Sequence, residues 1–214
     1  MEINPLLNSI FTSADFHIQT EPICAPWRCD LVSRPVSRTH RNSRENTRER
    51  LGVPPESQLI LITTGGIEQK YPGLEALASL SSDVRFVIPG SANQIEIRGK
   101  TILLPHHSNF YHPDLVQASD AVVGKLGYST VAEVFHAGVP FGYVPRDRFR
   151  ETGPLANFVH NNLGGIEIPY SDFESGAWVR TIPQLLELPR QNRSVPNGAD
   201  QIAQFILCKS NLLN

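Results

Sequence analysis

Six apolar runs along the chain have the length and composition of buried strands. Most of them end at or beside a glycine or a proline, and they are rich in β-branched residues and leucine. Such runs are typical of a parallel sheet that is covered on both faces. The six runs span residues 59–64, 84–90, 101–105, 121–124, 140–144 and 164–169.

Segments with helical spacing of apolar residues lie between or after these runs. They span residues 74–80, 112–120, 129–138, 155–163 and 197–210. The alternation of strands and helices predicts an α/β fold, a Rossmann-like doubly wound parallel sheet with right-handed crossovers.

The chain changes character near residue 51. Residues 1–40 show little periodicity, and an arginine-rich segment follows in which Asn42 or Ser43 is placed to cap a short helix that ends at Gly52. We therefore expect an extension and linker over residues 1–50 and a Rossmann-like domain over residues 51–214.

The arginine-rich segment, residues 34–50, raises the alternative of nucleic-acid binding. However, Glu45 and Glu49 interrupt it, it contains no aromatic residue, and the formal net charge of the whole chain is -2. A solvated linker helix is the favoured interpretation, and no nucleic-acid partner is expected.

The apolar share of 40% is typical of a globular protein that can bury a core. No apolar run approaches the roughly 20 residues that a membrane-spanning helix needs, and the first residues lack the pattern of a signal peptide. Cys24, Cys29 and Cys208 form no disulfide framework, which indicates a reducing compartment. We expect a cytoplasmic protein without a membrane span.

The most informative stretch, residues 124–130, leaves a predicted strand and enters a helix. Ligands of doubly wound sheets bind beyond the carboxyl ends of the strands, and the first turn of a helix offers free amides and a partial positive charge to a phosphate. Lys125 adds a full charge, while Ser129 and Thr130 add hydroxyl donors. The alternative is that Ser129 is an ordinary helix N-cap.

Two common phosphate motifs are excluded here by spacing. A Walker A loop needs Ser or Thr directly after Lys125, where the chain has Leu126, and the glycines do not fit GxGxxG. Glu133 lies on the same helix face as Ser129 and Thr130, where a carboxylate can accept hydrogen bonds from ribose hydroxyls. The alternative is a solvated glutamate.

The stretch KLGYSTVAE, residues 125–133, is followed by AGVP at residues 137–140. Together they resemble the nucleotide-sugar signature of GT-B glycosyltransferases, which the UDP-glycosyltransferases and the peptidoglycan-precursor N-acetylglucosaminyltransferase share. The glycosyltransferase-like region of plant-type arabinokinases is similar as well, notably at VPRDRF, residues 144–149. The resemblance covers about residues 50–210, the carboxyl-terminal half of that architecture.

The resemblance implies roles for particular residues. Lys125, Gly127, Ser129 and Thr130 match the diphosphate site, and Glu133 matches the ribose-binding carboxylate. The Gly65-Gly66 turn after the first strand of the domain matches the loop that faces the donor phosphates. No catalytic residue is assigned. The residues assigned to the donor sugar are His107, Asp147 and Glu151.

The expected ligand is a nucleoside diphosphate sugar, with UDP favoured. The chain contains no DxD pair, so neither a metal nor another cofactor is expected. His106, His107 and His112 leave a metal site open as an alternative. The leaving diphosphate would be stabilised by Lys125 and the helix N-terminus instead of a metal.

Enzymes of this architecture carry the acceptor site on a second, amino-terminal domain, and residues 1–50 are too short to be that domain. They are interpreted as its remnant. A truncated chain, a donor subunit with a separate acceptor-domain partner, and a non-catalytic nucleotide-binding module all remain open. A sugar epimerase of the same architecture would lack its second domain in the same way.

Overall fold

The computed structural model describes residues 5–63, 77, 80, 83–192 and 194–210. The predicted Gly65-Gly66 turn and most of the predicted helix over residues 74–80 lie outside the described residues. The chain divides into two compact units. Unit 1 comprises residues 1–36 and 196–214, and unit 2 comprises residues 37–195.

Unit 2 is built on a seven-stranded sheet in the spatial order β5-β6-β4-β3-β7-β8-β9. Its neighbouring strands pair in parallel, except that β5 runs antiparallel to β6. The strands are β3 (Gln58–Thr63), β4 (Val84–Ala92), β5 (Glu96–Arg98), β6 (Thr101–Pro105), β7 (Ala121–Lys125), β8 (Phe141–Val144) and β9 (Gly165–Glu167).

The parallel strands follow the doubly wound order of a Rossmann-like sheet. The chain moves outward from β3 through β4 to β6, returns to β7 beside β3, and continues outward through β8 to β9. The prediction of a doubly wound parallel sheet is therefore confirmed. The switch point, where such sheets bind ligands, lies between the carboxyl ends of β3 and β7.

Of the helices that the structure describes in unit 2, the first precedes β3 and the others connect or follow the strands. These helices are α2 (Arg44–Leu51), α3 (His112–Ala118), α4 (Tyr128–Ala137), α5 (Thr152–Asn162), α6 (Tyr170–Ser175) and α7 (Ile182–Glu187), with a 3₁₀ turn at Ala177–Thr181. None of the helices that the structure describes is long and apolar enough to cross a membrane.

The central strands form the core because their side chains are apolar on both faces. Ile60, Phe86, Leu104, Val123 and Phe141 are fully buried. Strand β3 approaches β7 so closely that a Cβ at Gly124 would lie 2.4 Å from the carbonyl oxygen of Thr63. Gly124 is therefore required by the packing of the two strands at the switch point.

Helix α2 confirms the predicted linker helix and corrects the interpretation that it is merely solvated. The Ser43 hydroxyl accepts a hydrogen bond from the Asn46 amide, and Gly52 ends the helix at φ 68°. The buried Arg48 donates to the carbonyl oxygens of Ala118 and Ser57. These contacts fix the helix against the carboxyl end of α3.

Unit 1 contains α1 (Pro5–Thr12), β1 (Ile18–Thr20), β2 (Leu31–Ser33) and α8 (Gly198–Ser210). Strands β1 and β2 form a two-stranded parallel sheet. The backbone amide of Gly198 donates to the carbonyl of Pro35, at 3.2 Å between nitrogen and oxygen. The sequence predicted α8 as part of the domain over residues 51–214, whereas the structure groups it with unit 1.

The division between the units also differs from the predicted boundary at residue 50. It lies after Val36, because α2 is joined to unit 2 by charged contacts. The Arg44 Nη2 atom lies 2.5 Å from Asp120 Oδ1, and the Arg48 Nη1 atom lies 3.2 Å from Asp120 Oδ2.

Candidate functional site

A cavity of about 730 Å³ opens at the carboxyl ends of β7 and β8, beside the start of α4. Its lining combines two basic residues, two carboxylates, three aromatic rings and small polar groups. The lining residues are Lys125, Leu126, Gly127, Tyr128, Ser129, Thr130, Pro145, Arg146, Asp147, Phe149, Glu151 and Tyr170.

The first turn of α4 forms one wall of this cavity. The helix begins at Tyr128, with Gly127 in extended conformation at the N-cap and no side-chain cap. The amide of Val131 donates to the carbonyl of Gly127 at 2.9 Å, so the amides of residues 128–130 precede this first helical hydrogen bond. Ser129 is therefore the second helical residue, and the interpretation of Ser129 as the N-cap is wrong.

The loop after β8 also lines the cavity, through residues 145–147, 149 and 151. The Arg146 guanidinium lies 4.1 Å from the centroid of the Phe149 ring, and Arg148 adopts a left-handed conformation at φ 58°. A non-glycine residue in that region is uncommon. The hydroxyl of Tyr170 is hydrogen-bonded to Glu174, which raises the pKa of Tyr170.

Glu133 lies one turn further along α4 and is not among the residues that line the cavity. Its Oε1 atom accepts hydrogen bonds from Arg38 Nε at 2.9 Å and from Arg38 Nη2 at 2.7 Å. Its Oε2 atom lies 2.6 Å from Nδ1 of His112, whose Nε2 atom lies 3.2 Å from Thr63 Oγ1. The carboxylate is thus enclosed by the protein's own side chains.

These contacts determine the ionisation of Glu133. Burial by itself raises the pKa of this carboxyl group, but the hydrogen bond and charge of His112, together with those of Arg38, outweigh it. The net effect is that the pKa of Glu133 lies below its usual value. Glu133 is therefore an ionised, partnered carboxylate at neutral pH.

A second buried carboxylate fixes the segment that carries Arg38. Asp114 accepts hydrogen bonds from the backbone amides of Arg41 and Asn42 and from the Asn42 side chain. The guanidinium of Arg41 lies 4.1 Å from the centroid of the Tyr111 ring. The segment before α2 is thereby held against the start of α3.

The structure brings together six of the ten residues that the sequence proposed. Glu133 lies behind the first turn of α4, and His107 lies in an exposed turn after β6, where its ring packs on His106 at 4.9 Å between centroids. Gly65 and Gly66 lie outside the described residues. The six that line the same cavity are Lys125, Gly127, Ser129, Thr130, Asp147 and Glu151.

The histidines after β6 do not share one site. His112 turns towards Glu133, whereas His106 and His107 pack on each other. Among the described residues, no group of three or more His, Cys, Asp or Glu side chains is arranged to hold a metal ion.

Sequence reasoning did not identify Arg38, Arg146, Phe149 or Tyr170 as residues of this region. Arg38 is 95 residues from Glu133 along the chain, and nothing local in the sequence links the two. Arg146 and Phe149 lie within the VPRDRF stretch that is similar to arabinokinases. That similarity was the one signal in the sequence that could have identified these two residues as part of the site.

Comparison with known proteins places this geometry in a structural context. No family model matches the chain. The L-arabinokinase of Arabidopsis thaliana is 29% identical to it over 200 residues, which is 92% of this chain and 19% of the arabinokinase. The chain thus spans about a fifth of the length of that relative.

Two solved structures carry the comparison of folds. MurG from Acinetobacter baumannii has a TM-score of 0.57 and 15% identity, with 94% of this chain and 69% of MurG covered. A UDP-glucosyltransferase from Polygonum tinctorium has a TM-score of 0.51 and 16% identity, with 73% of this chain and 39% of the enzyme covered. The structural neighbours are GT-B glycosyltransferases, and this chain has the Rossmann-like fold of one half of that architecture.

Proposed function

We propose that the chain is the donor-binding half of a glycosyltransferase that moves a sugar from a nucleoside diphosphate sugar to a hydroxyl acceptor. One observation carries the proposal. On a GT-B half fold, the cavity at the carboxyl ends of β7 and β8 contains both Lys125 and the first turn of α4. A diphosphate is the ligand that this combination of ammonium group and helix amides favours.

The diphosphate would lie against residues 127–130, with Lys125 as its counter-charge. When the sugar leaves, negative charge develops on the diphosphate, and fixed positive groups stabilise it without reorganisation. Arg146 provides a second positive group in the same cavity. Asp147 and Glu151 line the same cavity, where carboxylates can accept hydrogen bonds from sugar hydroxyls.

UDP is the first nucleotide to test, because one structural neighbour is a UDP-glucosyltransferase. Glu133 is assigned to the ribose in this proposal, which requires Arg38 to leave its Oε1 atom. A non-catalytic nucleotide-binding module would bind the same ligand. The two differ in one measurable respect: when an acceptor domain is supplied, the enzyme releases UDP from a UDP-sugar and the module does not.

The acceptor-domain partner is also a proposal, and unit 1 supports it. Leu7, Ile10 and Phe11 are exposed and lie at helical spacing on one face of α1. An exposed apolar face of this kind marks an interaction surface. An acceptor domain that supplies further parallel strands to β1 and β2 is the partner that suits it.

Titration calorimetry with UDP, GDP and inorganic pyrophosphate tests the nucleotide site. Lys125→Ala is expected to weaken UDP and pyrophosphate binding by about tenfold or more, since it removes a charged donor to phosphate. Lys209→Ala, which removes an ammonium group far from the cavity in sequence, on α8, is the matched control. Equal affinities in wild type and Lys125→Ala would contradict the assignment of the cavity.

A further inference from the structure

The carboxylate of Glu133 is fully occupied in this structure. Its side chain is 3% exposed, and each of its oxygen atoms has a close partner. Arg38 directs two N–H groups at Oε1, while Nδ1 of His112 lies against Oε2. A ligand can therefore reach this carboxylate only by replacing one of the two partners.

The two partners differ in how firmly they are held. His112 is the first residue of α3, its side chain is 24% exposed, and its second ring nitrogen lies 3.2 Å from the Thr63 hydroxyl at the end of β3. Arg38 belongs to an irregular segment, and its side chain is 54% exposed. Its guanidinium lies 5.4 Å from the centroid of the Tyr111 ring. Arg38 is thus the partner that can move into solvent.

The position of Glu133 connects this pair to the proposed phosphate site. Ser129 and Thr130 line the cavity, and Glu133 follows them by four and three residues on the same helix. Residues at these spacings are neighbours on a helix surface. A ligand with its phosphates at the first turn of α4 can extend along this face towards Oε1, which Arg38 covers.

We propose that Arg38 is a specificity-determining residue, which covers Oε1 of Glu133 until two adjacent hydroxyl groups of a ligand replace it. This inference rests on the proposed function. The exchange substitutes two O–H donors for two N–H donors, so the buried carboxylate keeps its hydrogen bonds only if the ligand supplies both. A ribonucleotide meets this condition, whereas inorganic pyrophosphate and a deoxyribonucleotide do not.

The size of the expected change in affinity follows from the replacement of Arg38 by the hydroxyl groups of the ligand. A partly exposed ion pair contributes modestly to stability, so removing Arg38 should tighten UDP binding by about threefold to fivefold. The gain should be smaller for 2′-deoxy-UDP, which offers one hydroxyl group, and absent for pyrophosphate. Arg38→Lys should lie between wild type and Arg38→Ala, because an ammonium group keeps the charge but not the planar pair of donors.

Titration calorimetry of the full chain with UDP, 2′-deoxy-UDP and pyrophosphate tests the inference. Arg41→Ala is the matched control, because Arg41 belongs to the same segment and stacks on the same Tyr111 ring. Its backbone contact with Asp114 is retained in the variant. We expect Arg41→Ala to leave all three affinities unchanged. Arg38→Ala should give the full gain in affinity for UDP, a smaller gain for 2′-deoxy-UDP and no gain for pyrophosphate.

Each other result has a defined meaning. If Arg38→Ala leaves UDP affinity unchanged or lowers it, while Lys125→Ala still weakens binding, the inference is overturned and the proposed nucleotide site stands. An equal gain for UDP and 2′-deoxy-UDP overturns it too, since the diol would then have no role. If neither UDP nor pyrophosphate binds any variant, the proposed function fails and the inference fails with it.

Discussion

The two units of this chain differ in how their apolar residues are placed. Every buried hydrophobic residue that the structure describes lies in unit 2, between Leu51 and Leu185. Of the eleven large hydrophobic residues that are exposed among those described, eight lie in unit 1, including Phe11, Trp27 and Leu207. Unit 2 therefore has a core of its own, whereas the described part of unit 1 has none.

The described contacts within unit 1 are an edge-to-face packing of Phe16 on Phe205, at 5.9 Å between ring centroids, and a number of polar contacts. β1 pairs with β2 through three residues, and the backbone amide of Arg34 donates to Oε1 of Gln201 at 2.8 Å. A two-stranded sheet without a hydrophobic face to bury is marginal in water, and parallel sheets are normally covered on both sides. The comparison teaches that the same chain combines a self-sufficient α/β core with elements that need an additional surface.

The largest expected difference follows from two phenylalanines. Phe86 is fully buried and Phe11 is 64% exposed. Phe86→Ala should lower the free energy of unfolding of unit 2 by about 3–5 kcal/mol, because it leaves a cavity in a packed core. Phe11→Ala should change the free energy of unfolding by no more than about 0.5 kcal/mol.

The two tryptophans make this measurement possible unit by unit. Trp27 lies in unit 1 and Trp178 in unit 2, so Trp27→Phe and Trp178→Phe backgrounds each leave one fluorescent reporter. Urea unfolding would then be followed in each background. A loss for Phe11→Ala as large as that for Phe86→Ala would show that unit 1 has a core after all.

Most of the sheet could be predicted because buried parallel strands are continuous apolar runs. The predicted run over residues 59–64 corresponds to β3 at Gln58–Thr63. Strand β5, in contrast, was missed. It is three residues long, pairs antiparallel at the edge, and has its one apolar side chain, Ile97, 70% exposed. Without burial there is no apolar pattern to recognise.

The candidate site likewise has one part that could be predicted from the sequence and one part that could not. Lys125, Ser129 and Thr130 could be proposed together because they are close in sequence and lie at a strand-to-helix junction. The pairing of Arg38 with Glu133 could not be predicted, since it joins residues 95 positions apart through a segment without regular structure. Local periodicity determines elements, whereas contacts of this kind depend on how the elements are packed.

The next largest expected difference in stability follows from comparing Arg48 in unit 2 with Arg34 in unit 1. Arg48 has a side chain that is 9% exposed and donates to Ala118 O at 3.1 Å and to Asp120 Oδ2 at 3.2 Å. Arg48→Ala should lower the free energy of unfolding of unit 2 by about 2–4 kcal/mol, because it leaves buried acceptors unpaired. Arg48→Lys should restore part of this loss, since a single ammonium group cannot reproduce the fork of donors.

The matched change in unit 1 is Arg34→Ala. Arg34 pairs with Glu21 at 3.2 Å, but the two side chains are 48% and 30% exposed. Such a pair contributes about 1 kcal/mol at most. Both variants would be measured by the same urea unfolding. A cost for Arg34→Ala that equals the cost for Arg48→Ala would contradict the distinction between the two units.

The smallest expected effect is a dependence on pH. The folded state lowers the pKa of Glu133 below its usual value of 4.5, since His112 and Arg38 outweigh the opposing effect of burial. A depressed pKa stabilises the folded state above the unfolded pKa, and this contribution is lost as the pH falls through the folded pKa. Glu133→Gln should therefore be less stable than wild type at neutral pH, and the gap should narrow below about pH 4.5.

Urea unfolding of wild type and Glu133→Gln at a series of pH values from about 7 to about 3 measures this gap. The pKa of Asp114 is lowered as well, because its hydrogen bonds to Asn42 and Arg41 outweigh burial, but this contribution is common to both proteins and cancels. Glu21→Gln in unit 1 is the control and should show a small difference throughout, because its ion pair is exposed. A gap for Glu133→Gln that stays constant over the whole range would mean that the stabilisation does not come from the ionised carboxylate. In that case Arg38 would hold Glu133 by packing alone. The ion pair in unit 2 would then contribute no more electrostatic stabilisation than the exposed pair in unit 1.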